Sequence, residues 1–244
     1  MKKITLLVFL IFFNSLNAIA SPKKIEYTVG VEDYVRYPFQ TVENGRYYGV
    51  FRDILDKFAE SERIKFIYKP YKVKELYQNF YTKKFDFKFP DNPVWRSPQK
   101  EKYPIIYSNF LTHYIDAIFV RKSDYGKVIN ELKTFGIVDD IILWVLKTKE
   151  QRAKIELKRA NSCAELLVML NRGEVNGIFC NYDVMKYLLK NSAVEDDIII
   201  NLDLPFIDNY FYLSTIMHPE IIKKFNLWIS QNREFIDRKL HEFK

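Results

Sequence analysis

Hydrophobic residues in this chain change period as the sequence advances, and that alternation limits the folds open to it. Ile25, Tyr27, Val29 and Val31 alternate with other residues, the period of a strand that buries one face. Val50, Phe51, Ile54, Leu55 and Phe58 then recur at helical spacing, which predicts an amphipathic helix over Val50–Ser61. Ile64, Phe66 and Tyr68 return to the strand period. Leu76, Tyr77 and Phe80 give a helix over Val73–Tyr81, and Phe85–Phe89 is a third strand that Pro90 should stop. Between the first strand and the first helix lie an aromatic loop, Glu32–Phe39, and the hairpin signal Asn44-Gly45. Strand and helix in alternation predict an α/β layer with a parallel sheet.

The second half repeats the pattern. His113–Val120 reads as a long strand and Phe135–Val138 as a short one. Ser162 with Glu165 three residues on forms a capping box ahead of Leu166, Leu167 and Leu170, and Gly173 stands where that helix should end. Val175–Cys180 is a strand, Asn181 a cap for the helix Tyr182–Lys190, Ile198–Ile200 and Phe211–Ile216 are strands, and Pro219–Leu240 is largely helical. With no repeat or flexible linker, this suits two lobes joined by extended crossing strands.

Residues 1–20 read as a signal peptide: Lys2 and Lys3 lead, Ile4–Phe13 is an apolar run too short to span a bilayer, and Ala18-Ile19-Ala20 is a cleavage site. The expected mature chain starts at Ser21 in the periplasm. Lys and Arg total 38 against 31 Asp and Glu; losing Lys2 and Lys3 leaves 36 against 31, a charge of +5. The charges are interleaved, without the basic stripe of a nucleic-acid binder. His113, His218 and His241 lack ligand spacing, so neither a metal nor a cofactor is expected. Cys163 and Cys180 form either a disulfide, which export permits, or two buried thiols.

The order of these parts resembles the family 3 extracytoplasmic solute-binding proteins of polar amino-acid transport. The opening strand, aromatic loop, Asn-Gly turn and Gly45–Gly49 segment resemble that family's first unit, with Asp53 on its acidic helix position. Lys84-Phe85-Asp86 resembles its Gly-x-Asp strand entry, Tyr107-Ser108 its Phe-Ser step, and Asn171–Asp183 its Gly-x-Val-Asp-Ala unit. The resemblance implies a type II periplasmic binding fold: lobe one at 25–112 plus 206–244, lobe two at 113–205, two hinge-crossing strands, and a ligand held in the cleft between lobes. It also implies a small-molecule ligand and an ABC permease or membrane sensor as partner, with a monomer as the default.

Amino-acid-binding members grip the ligand carboxylate with an arginine and a Ser/Thr helix start, and its amine with an Asp, because a zwitterion leaving water needs each charge paired. Here counting back from Tyr107-Ser108 puts the arginine near Glu101, and counting on from Asp86 puts it near Arg96. The anion site after Val138 reads Asp139-Asp140, and the amine-binding position falls at Asn181, with Asp183 two residues on. The expectation is therefore a small polar ligand other than an ordinary α-amino acid. Candidate ligand contacts are Tyr34, Tyr37, Trp95, Arg96, Asp139, Asn181 and Asp183. Core packing competes for the aromatics, a surface ion pair for Arg96, and helix or loop capping for Asp139 and Asn181. Two other functions stay open: a dehydratase-like periplasmic enzyme on the same fold, and a ligand-free interaction module for a membrane sensor.

Overall fold

The computed structural model describes residues 24–95, 97–138 and 155–242. The signal-peptide reading, Arg96 and Asp139 lie outside the described residues.

β1 (Ile25–Glu32) lies between β4 (Ile64–Tyr71) and β5 (Phe87–Asp91), parallel to both. The hairpin β2 (Thr41–Glu43) and β3 (Arg46–Tyr48) turns at Asn44 and Gly45, both at positive φ. α1 (Val50–Ser61) buries Val50, Phe51, Ile54, Leu55 and Phe58, and α2 (Val73–Tyr81) buries Leu76, Tyr77 and Phe80. A helical turn, α3 (Ser97–Lys100), and β6 (Ile106–Tyr107) lead to β7 (Thr112–Arg121).

β7 opens the other half of the sheet. It pairs antiparallel with β10 (Gly177–Asn181), which runs parallel to β8 (Thr134–Val138); β8 in turn pairs with β9 (Glu156–Ala160). α4 (Cys163–Asn171), α5 (Tyr182–Lys190) and β11 (Ile198–Ile200) complete it. β12 (Ile207–Thr215) joins the halves. Its residues Ile207–Phe211 pair with β7, and Tyr212–Thr215 pair with β5 and β6. α6 (Pro219–Gln231) and α7 (Arg233–His241) close the chain against the first half, where Phe225 and Trp228 pack on Phe58.

Several sequence expectations change. The sheet is mixed, not parallel, because β12 returns antiparallel to both β5 and β7. Pro90 lies within β5 instead of ending it. Two residues of β12 (Tyr212 to Ser214) span three of β5 (Asp91 to Lys88), so the ladder bulges there and the missing N–H costs no regular bond. β9 was not anticipated: its residues are mostly exposed and do not alternate, as suits a sheet edge. The C-terminal helix breaks at Asn232 into α6 and α7.

Candidate functional site

Beyond Glu32 the chain enters the loop Asp33–Gln40. Its entrance is pinned by Asp33 N donating to Tyr71 O at 2.8 Å, and its exit by mutual backbone bonds between Arg36 and Gln40 at 2.9 and 3.1 Å. Gly49, at φ 113°, lets the start of α1 close on the loop: a Cβ there would sit 2.5 Å from the Phe39 carbonyl oxygen.

This loop touches the far half of the sheet at three points. Val35 bridges Ser162, the residue that caps α4. The Tyr34 hydroxyl lies 3.9 Å from Cys163 Sγ. Cys163 is joined to Cys180 by a disulfide with Cα atoms 6.0 Å apart; that sulfur carries no hydrogen, so Tyr34 is the donor. Tyr37, largely exposed, sets its ring 5.2 Å from Tyr187 of α5. The loop and the α4–α5 face thus meet along a seam.

Arg36 is enclosed in that seam at 7% exposure. Its guanidinium lies 5.4 Å from the Tyr34 ring and 5.2 Å from the Phe211 ring. Nε and Nη1 have no hydrogen-bond partner. A buried donor left unmatched costs about 1–3 kcal/mol, so two on one side chain are an unusual expense in a folded protein. Burial lowers the guanidinium pKa, but Asp116 and Glu32 outweigh it and raise it, so the charge is held. Burial pushes the Tyr34 hydroxyl up to about 12, against the pull of Arg36.

Asp116 faces Arg36 from the middle of β7. Burial pushes its carboxyl above the ordinary range, although Arg36 and a hydrogen bond from Asn181 act the other way. Asn181 Nδ2 donates to Asp116 Oδ1 at 3.0 Å and to Ile115 O at 3.3 Å, while Oδ1 accepts from Val184 N at 3.2 Å. Asn181 is therefore a helix cap and a brace for Asp116. Asp183 follows in the first turn of α5, half-buried. Trp95 packs at the edge of the seam: Nε1 donates to Tyr114 Oη at 3.1 Å, and its ring lies 6.0 Å from Phe211.

Behind Trp95 is a second buried charge cluster. Asp91 Oδ1 accepts from Lys88 at 3.1 Å and from Lys100 at 2.5 Å, and Oδ2 accepts from Ser214 at 2.6 Å. Lys88 Nζ also lies 4.4 Å from the Tyr77 ring. Burial alone raises the Asp91 carboxyl, but Lys88 and Lys100 outweigh it and hold it low. Lys100 is pushed down to about 8, by burial first and by Lys88, against Asp91. Lys88 also donates to Pro90 O and Lys100 to Asn92 O, so neither ammonium stands unpartnered, and through Ser214 the cluster braces β5 against β12.

The structure thus brings Tyr34, Tyr37, Trp95 and Asn181 to one seam, with Asp183 one turn behind. Sequence reading passed over Arg36 and Asp116. Each left a trace: a lone cation inside an aromatic loop, and an acid within the apolar run Tyr114–Val120. Among the described residues no group of His, Cys, Asp and Glu is placed to hold a metal, and no helix is long and apolar enough to cross a membrane.

The chain matches no protein-family model and no curated protein sequence. It is similar in structure to an ancestral arginine-binding protein bound to arginine, at 17% identity and TM-score 0.67, over 89% of this chain and 97% of that one. An arginine transport-system periplasmic binding protein from Legionella pneumophila aligns at 13% identity and TM-score 0.66, over 91% of this chain and 100% of that one. An ancestral amino acid-binding protein, AncCDT-1, described as a precursor of cyclohexadienyl dehydratase, aligns at 18% identity and TM-score 0.68, over 89% and 95%. The chain therefore has the two-lobed α/β fold of type II periplasmic binding proteins, with β12 pairing in both halves of its sheet.

Proposed function

We propose that the chain is a periplasmic solute-binding protein that captures a small polar molecule between its lobes, for transport or sensing. Lobe one is assigned to 25–112 plus 206–244 and lobe two to 113–205, with an ABC permease or a membrane sensor as partner. The observation that carries this reading is Arg36: a held charge with two unmatched nitrogens, enclosed where the two lobes meet. Tyr34 lies against it from one side of the seam and Asp116 acts on it from the other, so a bound solute would tie the lobes together. The Cys163–Cys180 disulfide suits an oxidising compartment.

The ligand is not an ordinary α-amino acid held by the usual three-part clamp. The amine-binding position is Asn181, whose side chain is engaged with Asp116 and the α5 cap. A thermal-shift screen over amino acids, amines, oligopeptides, organic acids and sugars tests the function. A solute at 100 times its Kd adds about 2.7 kcal/mol of stability. A clear upward shift with one solute class is expected; a common L-amino acid binding at micromolar affinity would refute the altered clamp, and no shift with any class would count against solute binding.

A second reading, catalysis on the same fold, has one group in its favour: Asp116, a half-buried carboxyl with a raised pKa inside the seam. Turnover of a bound solute that D116N abolishes would establish it.

A further inference from the structure

The Cys163–Cys180 disulfide borders the seam at both of its cysteines. On the premise above that the seam is the solute site, the bond gives that site a chemical control. We propose that it is a thiol–disulfide exchange site: a dithiol reduces it when the seam opens, and the reduced protein holds the seam, and a solute within it, less tightly.

Each cysteine has a neighbour that carries a contact of the seam. Cys163 begins α4, and Ser162 before it caps that helix and is bridged by Val35 of the loop. Cys180 is next to last in β10, and Asn181 after it caps α5 and donates to Asp116 Oδ1 at 3.0 Å. Asp116 in turn acts on Arg36 electrostatically. Two thiol sulfurs do not stay at the length of a disulfide bond. Reduction therefore parts the α4 start from the end of β10. In a close-packed interior that displacement passes to Ser162 and Asn181, and through them to both faces of the seam.

Access to the bond is set by the seam as well. Cys163 and Cys180 are 2% and 4% exposed, so the closed form shuts a dithiol out. Tyr34 of the loop lies over Cys163, with its hydroxyl 3.9 Å from Sγ. Opening the seam carries Tyr34 away and uncovers that sulfur. A thiolate of the reagent then attacks Cys163 Sγ, the S–S bond breaks, and Cys180 leaves as a thiolate. The reagent's second thiol displaces Cys163 from the mixed disulfide. Two electrons and two protons pass to the protein, and the reagent is left as its own disulfide. By linkage, the factor that reduction takes from solute affinity is the factor by which bound solute disfavours reduction.

The test treats folded wild-type protein and Y34F with rising dithiothreitol in the absence of urea. Samples quenched with iodoacetamide are read by mass for alkylated cysteines, and urea kinetics give each protein's rate of global unfolding. Amide exchange is followed in both redox states. L-glutamate, putrescine, trialanine, succinate and glucose are titrated into each by calorimetry. Wild type should be reduced faster than it unfolds. Y34F, lacking the hydroxyl on Cys163, should be reduced about threefold faster or more relative to its own unfolding rate. The reduced protein should still unfold cooperatively in urea, with faster exchange in Asp33–Gln40. A solute that binds the oxidised form should lose about fivefold or more in affinity on reduction. The proposal is overturned if reduction never outruns global unfolding, if Asp33–Gln40 exchanges equally in both states, or if a solute binds both states alike. It is overturned too if the reduced chain has no cooperative transition, since the bond is then only a staple. The expected reduction and exchange with no solute bound by either state would count against the solute-binding function and leave the redox coupling of the seam standing.

Discussion

At the scale of single residues, the buried charges decide most. Asp91 is the shared carboxylate of two enclosed ammonium groups and accepts from Ser214 as well. D91N would leave Lys88 and Lys100 without a counter-charge, and breaking a buried pair from one side costs about 3–5 kcal/mol. Urea unfolding of D91N near neutral pH should show a loss of that size; a loss under about 1 kcal/mol would mean that the lysines find other partners. Asp116 has the opposite character. Its folded pKa lies above the unfolded value, so the folded state binds the proton more tightly. Its contribution to stability is intact below the unfolded pKa of about 3.9 and is lost as pH rises through the folded value. D116N removes that dependence, so its stability relative to wild type should climb with pH from about 4 upward and then level off. A difference that stays flat across unfolding curves at several pH values would contradict the raised pKa.

At the scale of elements, much of the fold is legible in the sequence. α1 and α2 carry apolar residues at helical spacing and occupy the residues that spacing marks. The α4 start is legible in part. Ser162 accepts from Glu165 N at 3.2 Å, but Glu165 reaches back to Asn161 N at 2.9 Å instead of to Ser162, so only half of the capping box closes. Lys88 misleads: between Phe87 and Phe89 it reads as a solvent-facing position, yet it is fully buried because β5 lies between β1 and β12 with both faces covered. Arg36 misleads in the same way, since nothing in its local sequence says that α4 and α5 of the other lobe will cover the loop. Charge in a strand or loop reads as exposure, and only the tertiary arrangement reverses it. The disulfide ties the start of α4 to β10 across a sequence separation of 17 residues. Loop-closure entropy for a span of that order is about 3 kcal/mol, so C163A/C180A should unfold at lower urea by about 2–4 kcal/mol. Because Cys163 also accepts from Tyr34, the same variant should loosen the seam, seen as faster amide exchange in the Asp33–Gln40 loop. An unchanged urea midpoint would mean that packing alone holds α4 on β10.

At the scale of the whole molecule, β12 is the strand on which the account turns. It pairs with β7 in one half and with β5 and β6 in the other, so the two halves of the sheet join near Phe211 and Tyr212. Phe211 also lies against the Arg36 guanidinium, which places the crossing point and the candidate site side by side. A solute engaging Arg36 therefore acts where the lobes are joined. The most direct measurement is calorimetric titration of the strongest solute from the screen into wild-type protein and R36Q, side by side. The account predicts one binding site in the wild type and affinity reduced at least about tenfold in R36Q, equivalent to 1.4 kcal/mol or more. Equal affinity in a folded R36Q would place the solute elsewhere and contradict the claim that this seam is the binding site.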